Sequence, residues 1–177
     1  MDSIFRIMRD SPQYICQKDE NMKNKVVIMR GLPGSGKSRY ASKLVSDSPG
    51  AVICSADHFF EREDSIAGIS KEYRFDPFKL PEAHAQCFRN FLRALRNKCP
   101  LVIVDNTNIR CWEFQNYMAA AWLADYEIDV VEFRAETIED VRVCANRNTH
   151  KVPPDIVAKM AMEFEQYDGA VVAKIER

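Results

Sequence analysis

Apolar residues along the chain fall into short blocks separated by longer amphipathic stretches. VVIM (26–29), AVICS (51–55), LVIV (101–104) and YEIDVVEF (126–133) read as strands. Near-continuous aliphatics, as in LVIV, are what a strand buried on both faces requires. Helical spacing predicts helices over about 37–45, 77–98, 111–124, 136–148 and 155–167. In the second of these, Phe88, Phe91, Leu92 and Leu95 should face the core, and Pro77 suits a first helical position. VVAKI (171–175) is expected to add a short edge strand. Residues 57–76 are charged and irregular, with few apolar anchors, and read as a mobile surface loop. Residues 1–24 read as an N-terminal tail in which Ile4, Phe5, Ile7 and Met8 suit either a short docking helix or a mobile end. Residues 25–177 then form one domain, in which strands alternating with helices predict an α/β fold: a parallel sheet of four to five strands with helices on both faces.

Composition narrows the class. The 177 residues suit one domain with a sizeable core, and a net charge of −1 rules out a polycation, so nucleic-acid contact would need a local basic patch. No apolar run is long enough to span a bilayer, and no signal-peptide pattern opens the chain. A protein that is cytoplasmic or nuclear rather than secreted is expected. The six cysteines include no C-x-x-C pair and read as free thiols, with no zinc-ligand spacing.

Between the first strand and first helix stands GLPGSGKS (31–38), matching G-x-x-x-x-G-K-[ST] at Gly31, Gly36, Lys37 and Ser38. Glycines let backbone N–H groups converge on an anion, and the helix N-terminus adds its dipole. Gly31, Pro33, Gly34, Ser35, Gly36, Lys37, Ser38 and Arg39 are therefore the expected ATP-binding set. Within it, Lys37 meets the β- and γ-phosphates and Ser38 a Mg²⁺ ion.

Three further segments supply candidate chemistry. Asp57, just past AVICS, suits a general base for an attacking hydroxyl, or an N-cap for a helix beginning at His58. His58 itself, among aromatics, reads as a packing residue. Asp105, directly after LVIV, suits a carboxylate that holds Mg²⁺ through water. Thr107 and Asn108 would orient the acceptor or cap the next helix, with Arg110 close by. In ANRNTHKVPPD (145–155), Arg147 would offset charge on a transferring phosphoryl group from a lid, or cap a helix C-terminus. His150 reads as a hinge or packing residue. Arg89, Arg93 and Arg96 share one helix face, either solvated or a track for acceptor phosphates.

RGLPGSGKS, SADHFF, YRFDPFKLPEAHAQCFRNF, VDNTNIRCWE and RNTHKVP occur in that order. Together they resemble the polynucleotide 5′-hydroxyl-kinase-like branch of P-loop kinases. The likeness is strongest to the kinase-like domain of Nedd-ubiquitin-ligase-binding proteins and their short relatives. The resemblance implies a P-loop NTPase kinase fold with a helical lid, and an ATP- and Mg²⁺-dependent phosphotransferase. Lys37, Asp57 and Arg147 would be its catalytic residues, and Ser38 and Asp105 its metal ligands. In the phage-type cousins an acceptor-binding arginine lies three residues past the base; here that place holds Phe60, and the nearest arginine is Arg62. A second lid arginine is missing. His84, in PEAHAQ, matches the short relatives and is assigned to the acceptor side. Two acceptors stay open, a nucleic-acid 5′-hydroxyl end or a small alcohol such as a nucleoside or sugar. A nucleotide-binding interaction module is the non-enzymatic alternative. No protein partner is indicated.

Overall fold

A computed structural model describes residues 23–62, 72–73 and 75–175. The expected helix or tail at 1–24 lies almost wholly outside them. Strand β1 (Lys25–Gly31) runs into the glycine loop and helix α1 (Lys37–Asp47). Strand β2 (Val52–Cys54) precedes a 3₁₀ turn, Asp57–Phe59. Two short antiparallel strands, β3 (Glu61–Arg62) and β4 (Glu72–Tyr73), and a second 3₁₀ turn (Pro77–Lys79) lead into α2 (Leu80–Arg96). Strand β5 (Leu101–Asp105), α3 (Cys111–Leu123), β6 (Glu127–Phe133), α4 (Ile138–Arg147), α5 (Pro154–Met162) and β7 (Ala170–Ala173) complete the order.

The main sheet has five parallel strands in the order β2-β5-β1-β6-β7. Central β1 is buried on both faces. Val26 and Ile28 pack with Phe91, Phe114 and Tyr117 from α2 and α3. Val27 and Met29 pack on the other face with Ala41 of α1, Ile103 and Phe133. Full burial of each such side chain contributes about 1.5–3 kcal/mol. The chain lays strands on one side of β1 and then crosses to the other, which opens a crevice beyond the carboxyl ends of β1 and β5. A third cluster (Leu32, Cys144 and Val157) fastens α4 and α5 against the glycine loop.

Several local expectations change. The 57–76 stretch is not simply irregular: it contains the 3₁₀ turn and both short strands, and Phe60 is an anchor, 4% exposed against the α2 face. Leu92 is 42% exposed rather than in the core, because Phe91, Ala94 and Leu95 fill the inward stripe of α2. Helix α2 begins three residues after Pro77, since Asp76 Oδ1 accepts from Phe78 N at 3.0 Å and closes a 3₁₀ turn first. Helix α4 starts at a reciprocal cap: Thr137 Oγ1 accepts from Asp140 N and Asp140 Oδ2 from Thr137 N, at 3.1 and 3.0 Å. Helix α5 stops at Met162, five residues before the predicted end. The next residues serve tertiary partners instead: Glu165 N donates to Ile109 O (2.8 Å), and Glu165 O accepts from Arg30 Nη2 (2.7 Å).

Candidate active site

The loop 31–38 is shaped by contacts that exclude a β-carbon. One added at Gly31 would lie 2.7 Å from Ser35 Oγ, and at Gly34 it would lie 2.1 Å from Cys144 O. Gly34 and Gly36 have φ of 77° and 105°, left-handed values that glycine adopts without strain. Gly34 therefore presses the loop against the last turn of α4, which carries Arg147. Gly36 caps α1 and faces open space. Pro33 and Ser35 are buried, while Ser38 and Arg39 are exposed on the first turn.

Lys37 is 7% exposed. Its Nζ donates to Gly31 O (2.9 Å), Leu32 O (2.7 Å) and Ser35 Oγ (3.4 Å). Burial lowers its pKa to about 8, against the pull of Asp105 and Asp57. The charge thus sits on neutral carbonyls, with carboxylates near but not paired to it.

Asp105 closes β5, is 8% exposed and lies close enough to the Ser38 hydroxyl for it to favour the carboxylate's charge. Burial raises its carboxyl above the ordinary range, and Ser38 and Lys37 oppose that rise. The pair offers hydroxyl and carboxylate oxygens at a helix N-terminus. That set fits Mg²⁺, which takes one or two carboxylates plus substrate phosphates rather than a full protein cage. Among the described residues, no group of three or more His, Cys, Asp or Glu is arranged to hold a metal.

Asp57 is the first residue of its 3₁₀ turn, not the cap: Ala56 is the N-cap and no side chain caps the turn. Its backbone is held from below. Asn106 Oδ1 accepts from Ala56 N at 2.9 Å, and Ser55 Oγ accepts from Asp57 N at 3.3 Å. The carboxylate is 43% exposed, and its Oδ2 lies 3.4 Å from His150 Nε2. His150 thus meets the candidate base instead of packing away from it. His58 is exposed, not packed, and lies close enough to Asp105 to favour its charge.

The expected acceptor residues that the structure describes have these surroundings. Asn108 is 3% exposed, has φ of 44°, and donates from Nδ2 to Met29 O at 2.8 Å. It holds the post-β5 loop on β1 and caps no helix. Thr107 accepts on its backbone carbonyl from Gly31 N at 2.9 Å. Arg110 is the N-cap residue of α3 and pairs with Glu163 at 3.1 Å. His84, Arg89, Arg93 and Arg96 are exposed on α2. The Arg62 side chain lies outside the described atoms. Arg147 is exposed at the end of α4, near enough to Cys144 to act on its thiol as Lys37 does.

Sequence reading missed one charged centre altogether. Arg30 and Glu132 are ladder partners on β1 and β6, both fully buried, joined Nη1 to Oε2 at 2.8 Å. Arg30 also donates to Asn108 O, Ile109 O and Glu165 O, and lies 4.9 and 4.7 Å from the ring centroids of Phe114 and Phe164. Arg134 Nε completes Glu132 at 2.5 Å. The signal was present as one arginine ending an apolar strand and one glutamate near the end of another.

A parallel five-stranded sheet with a glycine loop after its central strand and a short helical pair over that loop is a P-loop kinase fold. The chain belongs to the AAA_33 family, described as an AAA domain, which matches residues 26–167. It is 32% identical over 159 residues to human NEDD4-binding protein 2, covering 86% of this chain and 9% of that protein. It is 31% identical over 158 residues to rat YLP motif-containing protein 1, covering 79% and 11%. The chain thus spans about a tenth of the length of these curated relatives. Among solved structures, a chain of the Pnkp1/Rnl/Hen1 RNA repair complex aligns with TM-score 0.58 at 18% identity, over 84% of this chain and 46% of that one. A gluconokinase from Sinorhizobium meliloti 1021 aligns with TM-score 0.58 at 13% identity, over 88% and 85%. The Mycobacterium tuberculosis APS kinase CysC with AMPPNP and APS aligns with TM-score 0.55 at 18% identity, over 88% and 91%.

Proposed function

We propose that the chain is an ATP- and Mg²⁺-dependent phosphotransferase that moves the γ-phosphoryl group of ATP to an alcohol, with a nucleic-acid 5′-hydroxyl end as the first acceptor. One observation carries the reading. A half-exposed carboxylate, Asp57, stands at the crevice close enough to act on the buried charge of Lys37, which Asp105 also faces. The loop amides and Lys37 bind the donor phosphates, with Nζ exchanging the carbonyls of Gly31 and Leu32 for phosphate oxygens. Ser38 and Asp105 would hold Mg²⁺, whose charge offsets that of the β- and γ-phosphates. Asp57 accepts the acceptor's hydroxyl proton as its oxygen bonds to phosphorus and the bond to ADP breaks. Arg147, at the lid end of α4, stabilises the charge on the transferring group.

A small alcohol is the second acceptor class. Phe60, standing where the phage-type kinases place an acceptor arginine, is buried in the core and offers no surface contact to a polyanion. The solved neighbours include both an RNA repair assembly and a gluconokinase.

The test incubates purified protein with γ-labelled Mg-ATP and 5′-hydroxyl oligoribonucleotides or oligodeoxynucleotides, beside nucleosides and sugars. Label on an oligonucleotide supports the first acceptor, and label on a small alcohol alone the second. ATP binding with no transfer to any of them leaves a nucleotide-binding interaction module. Asp57→Asn should slow transfer by ~10²–10⁴ while ATP binding persists, the range for a lost general base. Undiminished transfer by that variant removes Asp57 from the mechanism.

A further inference from the structure

We propose that His150 is the positioning residue of this site: its imidazole holds one oxygen of Asp57 and so aims the carboxylate at the acceptor hydroxyl. The proposal rests on the phosphotransferase reading above. Its geometric basis is the 3.4 Å approach of His150 Nε2 to Asp57 Oδ2.

Stability does not explain that contact. Both side chains are more than a third exposed, at 34% and 43%, and an ion pair in such surroundings contributes little to folding. Yet the segment that carries His150 is tightly built. Asn148 Oδ1 accepts from Val152 N at 2.6 Å, while Asn148 Nδ2 donates to Ala145 O at 2.7 Å and Val152 O at 3.2 Å. One amide therefore ties the end of α4 to the far side of the turn. Lys151 takes a left-handed φ of 56°, and Pro153 and Pro154 stiffen the entry to α5. The base of the turn rests on the phosphate loop, since a β-carbon on Gly34 would lie 2.8 Å from Asn148 N.

Asp57 is fixed differently. Ser55 and Asn106 hold the backbone at and just before it, but those bonds do not set the rotation of its carboxylate. An imidazole set against one oxygen does. A rigid turn seated on the donor-phosphate loop is suited to place that imidazole, because it fixes the base relative to the phosphate it must serve. Orientation of this kind acts on the chemical step rather than on ATP affinity.

The test compares His150→Ala and His150→Gln with the acceptor that the wild-type protein labels in the panel above. His150→Ala should lower kcat up to about a hundredfold, the scale on which a misplaced reacting group slows a step, with ATP affinity unmoved. His150→Gln, which keeps a donor, should recover most of the loss. A readout independent of turnover accompanies these. In ¹⁵N–¹H spectra of the three histidines, the His150 imidazole resonances should move in Asp57→Asn while those of His84 stay. Wild-type kcat in His150→Ala overturns the proposal, as does a His150 resonance indifferent to Asp57→Asn. So does a loss that falls on ATP affinity and is not rescued by glutamine. Should the wild-type protein label no acceptor, the phosphotransferase reading fails, and the imidazole spectrum alone decides whether His150 holds Asp57.

Discussion

Two buried cations flank the glycine loop, Arg30 just before it and Lys37 near its end, and their surroundings differ in kind. Arg30 lies on a fully buried carboxylate, three backbone carbonyls and two aromatic rings. Its donors are spent on the protein. Lys37 lies on two neutral carbonyls and a hydroxyl, with carboxylates near but unbonded. Its charge is costly until an anion arrives. The loop thus has at its entrance a cation bonded into the fold and at its far end one whose proposed partner is phosphate.

The sharpest way to break this contrast is to remove each cation in turn. Arg30→Ala leaves Glu132 buried with only Arg134, and should cost about 3–5 kcal/mol of stability, the usual penalty for removing one partner of a buried ion pair. Urea unfolding measures it, and a change under 1 kcal/mol would put Arg30 on the same footing as Lys37. Lys37→Met should do the reverse. ATP affinity should fall at least about tenfold with the loss of one charge-assisted contact, while the melting temperature holds or rises because an apolar side chain replaces a desolvated ammonium. Calorimetry and thermal unfolding of one preparation read both, and a lowered melting temperature would mean that Lys37 supports the fold.

The smallest expected effect is in the pH dependence. Lys37 has a folded pKa of about 8 against 10.5 for the free side chain, so between those values the unfolded chain binds more protons. Stability from this group therefore rises with pH across that window, and the burial penalty is fully present below about pH 8. ATP binding runs the other way, since phosphate favours the ammonium. Affinity should decline above pH 8, with proton uptake on binding near that pH, seen as a dependence of the calorimetric heat on buffer ionisation enthalpy. Equal heats in two such buffers would show that Lys37 is already fully charged.

The strand blocks VVIM, LVIV and YEIDVVEF were legible because strands buried on both faces need continuous aliphatics. The 31–38 loop was legible because its chemistry is local: three glycines, a lysine and a serine act within eight residues. Phe60 was harder to place, because one aromatic in a charged stretch becomes an anchor only when α2 packs over it. The end of α5 was misjudged for a related reason. Nothing in residues 163–167 breaks a helix by propensity, but Arg30 and Ile109 claim the backbone of Glu165.

By itself, then, the order of residues determined the α/β alternation, the glycine loop and the carboxylates at the end of β5 and just past β2, since each depends on neighbours a few positions away. Tertiary structure alone decided that Arg30 meets Glu132, that Asn108 turns inward to Met29, and that His150 reaches Asp57. The Arg30–Glu132 bond joins residues 102 positions apart, and no local propensity records such a partner. Only strand register and the seating of the α4–α5 turn bring these groups into contact.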